Sequence, residues 1–194
     1  LAKGCALYSE VDFLLHQELR ETAVYNSIVQ AIALGATTLG EIASRAMVEP
    51  PKASVYLKNL IELGIVEREF SVGSSTKEQS KKTRGLYRMA DEFFRFWYAF
   101  GFPNKSDLDM FDAQGVYRFF VAPNLRQYAS LAFERICQDW MRRQNRAGNL
   151  PCRFGEIGRF WNKQTEVDVM GLSVAQGDQP KGDVRLYGEC KFGN

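Results

Sequence analysis

Apolar positions recur at helical spacing three times in the first third of the chain. In "ETAVYNSIVQAIALG" (21–35), Val24, Ile28, Ala31 and Ile32 share one face, which predicts a helix ended by Gly35. In "TTLGEIASRAM", Thr38 stands three residues before Glu41, the spacing of a capping box, and opens a second helix carrying Leu39, Ile42, Ala43 and Ala46. "PPKASVYLKNLIELG" begins with prolines suited to a first helical turn, aligns Ala53, Leu57 and Leu60, and stops at Gly64. "IVEREF" then alternates apolar and charged residues as a half-buried strand, and "RGLYRM" reads as its partner across the polar loop "SVGSSTKEQSKKT". Three helices followed by a hairpin with a long polar tip give the order of a winged helix-turn-helix over residues 21–90.

The pattern then changes. "DEFFRFWYAFGFPN" concentrates aromatics in a stretch too short, and too interrupted by Arg95, to cross a bilayer, so its expected role is packing. From Leu125 to Arg143, Tyr128, Leu131, Ala132, Ile136 and Trp140 recur at helical spacing, with Glu134 in the middle. Strand candidates follow at 156–161 and 166–172, then the turn-rich "AQGDQPKGD" and a last strand "VRLYGECKF". The expected fold class is α+β: a winged helix, then an α/β domain over 91–194 whose last strand ends the chain and leaves the domain incomplete.

Composition narrows the function classes. Of 194 residues, 25 are basic and 23 acidic, so the net charge of +2 creates no global field toward nucleic acid or anionic lipid, and any basic surface must be local. One histidine, His16, and the widely spaced Cys5, Cys137, Cys152 and Cys190 argue against a structural zinc site and for reduced thiols. No apolar run approaches a membrane span and no signal-peptide pattern opens the chain; the expectation is a cytoplasmic protein with no membrane partner.

The local chemistry lies near the C-terminus. Residues two apart on a strand share a face, so "TEVDVMG" sends Glu166 and Asp168 the same way, and "GECKF" does so for Glu189 and Lys191. Paired as neighbouring strands, the two segments bring the carboxylates of Asp168 and Glu189 together beside the Lys191 ammonium. Converging carboxylates repel unless a cation neutralises them, and Mg2+ with hard oxygen ligands fits best. Such an ion polarises a phosphoryl oxygen and acidifies a bound water, while a lysine orients that water.

Asp168, Glu189 and Lys191, preceded by the helical Glu134, form a D-x(n)-E-x-K order that resembles the PD-(D/E)XK nuclease superfamily. The resemblance implies Asp168 and Glu189 as metal ligands, the Cys190 carbonyl as an auxiliary ligand, Lys191 as the water or phosphate partner and Glu134 as an orienting group. The wider order "YNSIVQAIALGATTLGEIA", "LYRMADEFFRFWYAF", "LAFERICQDWM", "TEVDVMG" and "GECK" is similar to the C-terminal half of archaeal and bacterial AAA+ (STAND-type) ATPases. In those, an ATPase module precedes a winged helix and a nuclease-like domain. Residues 1–20 would then be the tail of that module, which would hold the ATP, since these 194 residues contain no G-x-x-x-x-G-K-[ST] loop.

The winged helix offers its own contacts. Lys52, Lys58 and Asn59 are expected to point outward from the third helix, and Lys77, Lys81, Lys82 and Arg84 lie on the wing, a set able to neutralise DNA phosphates. Glu41, Glu49, Glu62, Glu67 and Glu69 occupy the same module and would repel a duplex they faced. Two readings follow: a DNA-associated, Mg2+-dependent phosphodiesterase, or a non-catalytic module that makes inter-domain or partner contacts for the ATPase. In the second, Glu189 and Lys191 are a solvent-facing ion pair on an edge strand.

Overall fold

The computed structural model describes residues 21–75, 85–175 and 180–193. They fall into two compact units: 21–69 with 85–123, and 70–75 with 124–193.

The first unit opens with α1 (Thr22–Ala33), α2 (Leu39–Ala46) and α3 (Pro50–Glu62), followed by the antiparallel pair β1 (Val66–Glu69) and β2 (Leu86–Met89). The expected helices stand where the periodicity put them, because each apolar stripe finds a core. Ile28, Ile42, Leu57 and Leu60 are at most 1% exposed, each worth about 1.5–3 kcal/mol relative to an exposed side chain. Gly35 and Gly64 adopt left-handed backbone (φ 93° and 70°), a conformation that glycine accepts without a steric penalty and that ends α1 and α3.

The capping box forms as read. Thr38 Oγ1 accepts from the Glu41 N–H at 3.3 Å, and the Glu41 carboxylate accepts from the N–H groups of Thr37 and Thr38, both at 3.0 Å. These backbone donors hold the Glu41 carboxyl below its ordinary range. Thr37 also closes the sheet: its carbonyl accepts from the Tyr87 N–H at 2.7 Å, so the α1–α2 link lies beside β2 as a third extended segment. This helix order, hairpin and third extended segment are the architecture of a winged helix.

The aromatic segment belongs with this unit, so the units divide at 123/124 and not at 90/91. It runs through α4 (Glu92–Phe96), a π-helical turn at Trp97–Gly101, a 3-10 turn at Phe102–Asn104, α5 (Lys105–Asp109), α6 (Ala113–Val116) and a second π-helical turn at Tyr117–Val121. Trp97 and Tyr98 are fully buried, and the Tyr98 hydroxyl donates to Asn26 Oδ1 on α1 at 2.7 Å. Burying two large aromatics against α1 outweighs any break after the hairpin.

The second unit holds α7 (Leu125–Ala147) and an antiparallel sheet in the order β3 (Phe154–Trp161), β4 (Glu166–Ser173), β5 (Arg185–Gly188). Residues 70–75 line the outer edge of β3: the Val72 N–H donates to the Arg159 carbonyl at 3.0 Å, and Ser71 Oγ both accepts from the Trp161 N–H and donates to its carbonyl. Glu156 accepts from the Gly73 N–H at 2.9 Å and pairs with Lys181, whose bond holds that carboxyl below its usual range. No helix among the described residues is long and apolar enough to cross a membrane.

The cap of α2 supplies a test in the first unit. Thr38→Ala removes one side-chain acceptor from the start of α2 and is expected to cost about 1 kcal/mol, read as a lowered urea midpoint at unchanged slope. Because the folded Glu41 pKa is depressed, its contribution is present above the unfolded carboxylate range and is lost as pH falls through the folded value. The gap between Glu41→Gln and the parent chain should therefore close on acidification.

Candidate functional site

Helix α7 meets the sheet through polar side chains at helical spacing. Gln138, 2% exposed, donates from Nε2 to the Asp168 carbonyl at 2.9 Å. Arg142 donates from Nε to the Ile157 carbonyl at 3.0 Å, and Asn145 makes a two-way bond with Phe154, donating to its carbonyl at 2.8 Å and accepting from its N–H at 2.9 Å. Each bond satisfies a backbone group of β3 or β4 that the helix covers. Of the apolar positions read at helical spacing, Leu131, Ile136 and Trp140 are 46%, 63% and 56% exposed, while Tyr128 and Ala132 are half-buried. Periodicity located the helix but could not say which face docks, because the docking face is polar.

The sequence places Asp168 on β4, and the structure puts it in the central strand, half-buried. Val169 pairs with Gly188, so the next position of the antiparallel register sets Asp168 opposite Glu189. The Cys190 N–H donates to Asp168 Oδ2 at 2.7 Å. Glu134 and Asp168 both act electrostatically on the Cys190 thiol, so α7, β4 and the segment after β5 do converge. Burial, then a hydrogen bond with the Cys137 side chain, then the charges of Asp168 and Glu134 push that thiol up to about 12.

Glu189 and Lys191 differ from expectation. Strand β5 ends at Gly188 and pairs on one side only, so both residues lie beyond it. Their side chains are 76% and 79% exposed and pair with each other at 3.6 Å. Glu166, on the same strand as Asp168, bonds Arg159 across the sheet. Among the described residues no group of three His, Cys, Asp or Glu side chains is arranged to hold a metal ion. Of the donors implied for Mg2+ (Asp168, Glu189 and the Cys190 carbonyl), Asp168 accepts from a backbone N–H and Glu189 pairs with Lys191.

On α3, Lys52 pairs with Glu21 at 3.2 Å and Lys58 with Glu62 at 3.6 Å. Asn59 is not outward: its Nδ2 donates to the Tyr25 hydroxyl at 2.7 Å, tying α3 to α1. Glu67 and Glu69 both pair with Arg88, at 2.8 and 3.2 Å, as their cross-strand register dictates. Lys77, Lys81, Lys82 and Arg84 lie outside the described residues.

Sequence reasoning missed Gln138 and Cys137. Their signal was present, since 134, 137 and 138 occupy one side of a helix, but a buried glutamine in a polar stretch is invisible until its partner carbonyl is known. Gln138→Ala leaves the Asp168 carbonyl without this donor and should cost about 1–3 kcal/mol in urea denaturation, against a change within about 0.5 kcal/mol for Arg143→Ala on the exposed side.

The chain is 35% identical over 166 residues to an uncharacterised protein of Methanocaldococcus jannaschii, a match covering 84% of this chain and 36% of that protein; the chain thus spans about a third of its relative's length. Among solved structures, the transcriptional regulator SlyA shares 18% identity over 69% of this chain and 86% of its own (TM-score 0.35). ZitR of Lactococcus lactis in complex with DNA shares 14% over 58% and 84% (TM-score 0.34). Likenesses this slight carry no argument about fold or function. Residues 97–194, from the buried Trp97 through the segment after β5, match the family model DUF234, and the chain belongs to that family of archaeal and bacterial proteins of unknown function.

Proposed function

We propose that this chain is a non-catalytic contact module: a winged helix joined to a PD-(D/E)XK-like scaffold, working by binding partners for a nucleotide-driven module of a larger protein. The observation that carries this reading is the outward apolar face of α7. Ile136 and Trp140, one turn apart, stand exposed on it, and a groove of about 460 Å³ runs beside them between α7 and the β4–β5 edge, lined also by Cys137, Val169 and Tyr187. Contiguous exposed apolar surface on a folded unit is the mark of a binding face. The paired state of Asp168, Glu189 and Lys191 points the same way, since each group that would do chemistry already has a partner.

The winged helix fits a contact role for a similar reason. Its two α3 lysines each stand beside an acid, which lowers the local field a duplex would feel. Exposed ion pairs of this kind are worth about 0–1 kcal/mol, so phosphates could displace them. Binding to duplex DNA that weakens steeply with salt would expose such a role.

One observation favours the catalytic reading: the register that sets Asp168 opposite Glu189, two positions from Lys191, with Glu134 acting on the intervening Cys190. The two readings separate on supercoiled plasmid. With Mg2+ or Mn2+ the full-length protein should leave it intact, whereas nicking that disappears in both Asp168→Ala and Lys191→Ala would establish the nuclease and overturn the contact module. In the same protein, Ile136→Asp with Trp140→Glu should leave the urea midpoint nearly unchanged while weakening association with the ATPase module at least tenfold. Unchanged association would remove the α7 face from the account.

A further inference from the structure

Cys137 and Cys190 are 53 positions apart, yet both line one groove of the second unit, near enough for Cys137 to act on the Cys190 thiol. Cys137 sits on α7 and Cys190 two residues past β5; both are free, half-buried and on the wall of the same open groove. The third described cysteine, Cys152, lines a different hollow near the end of α7. In the reduced chain the segment carrying Glu189 and Lys191 is tied to the sheet by the Cys190 N–H to Asp168 bond. A covalent link between the two sulfurs would fasten that segment to α7 as well.

We propose that Cys137 and Cys190 are a redox-sensitive pair, closed to a disulfide by a low-molecular-weight disulfide such as oxidised glutathione, which clamps the Glu189–Lys191 segment to α7. The thiolate of Cys137 attacks one sulfur of the small disulfide, breaking its S–S bond and releasing one small thiolate, which takes up the proton that Cys137 gave up. Cys190 then attacks the Cys137 sulfur of the mixed disulfide, passes its proton to the second small thiolate and expels it. Two protein thiols are oxidised and one small disulfide is reduced to two thiols; attack in the reverse order balances identically. A cysteine pair held close by the fold closes fast once the first mixed disulfide forms, because the second thiol is already nearby.

This inference stands apart from the contact-module reading, since it concerns the thiols whether or not a partner binds. The full chain, reduced and then exposed to oxidised glutathione, is digested without reductant and mapped by mass spectrometry. The expected product is one intramolecular peptide pair joining Cys137 to Cys190, lighter by two hydrogens, reversed by dithiothreitol and retained in Cys152→Ser. The Cys190→Ser variant should instead trap a glutathione adduct on Cys137. Overturning results are single adducts on separate cysteines of the parent chain, links to Cys5 or Cys152 in place of the 137–190 pair, or links only between chains.

Discussion

A hydrogen bond from a helix to a strand holds the second unit's candidate site together: Gln138 Nε2, buried on α7, donates to the backbone carbonyl of Asp168. Arg142 and Asn145 extend the contact one turn at a time to Ile157 and Phe154, so the helix is registered against the sheet by directional bonds. Apolar contact tolerates small slips and rotations, whereas a set of side chain to backbone bonds fixes both rotation and height. Rotation is the consequential variable. With Gln138 inward, Glu134, four residues earlier, faces the same way and Cys137 lies beside it, while Ile136 and Trp140, two residues to either side of Gln138, fall on the far face.

That one constraint links features that otherwise look unrelated. It brings two cysteines distant in sequence to one groove and sets carboxylates near Cys190, which together with burial suppresses its thiolate. It leaves an apolar stripe and a groove open beside the short edge strand β5, where unpaired backbone groups add to the surface available for binding. It also holds Asp168 by its main chain while its side chain accepts from Cys190, so the aspartate acts first as a structural joint between β4 and the segment beyond β5.

The first unit was legible in the sequence because its signals are local. Thr38 and Glu41 three apart, the glycines at 35 and 64, prolines opening α3 and alternation in 65–70 each specify one element, and the structure builds each where expected. The site was legible in part. Asp168 opposite Glu189 follows from strand alternation and a turn-rich connection, but the reach of β5 does not: it stops at Gly188, and Glu189 and Lys191 pass into solvent. Asn59 misled for the opposite reason, since a polar residue on a helix reads as outward until Tyr25 is known to stand across from it. The docking face of α7 was hidden because periodicity detects apolar stripes, and here the stripe that meets the sheet is polar.

The orientation of α7 is the claim on which the site, the groove and the thiol pair all rest. Hydroxyl-radical footprinting of the intact 194-residue chain reads it directly, since it contains its own references in Trp97, fully buried, and Trp140, 56% exposed. The account predicts that Trp140 and Ile136 are oxidised at the rate of exposed side chains while Trp97 stays protected. Protection of Trp140 to the level of Trp97 would show that the apolar stripe packs inward, and the account would fail.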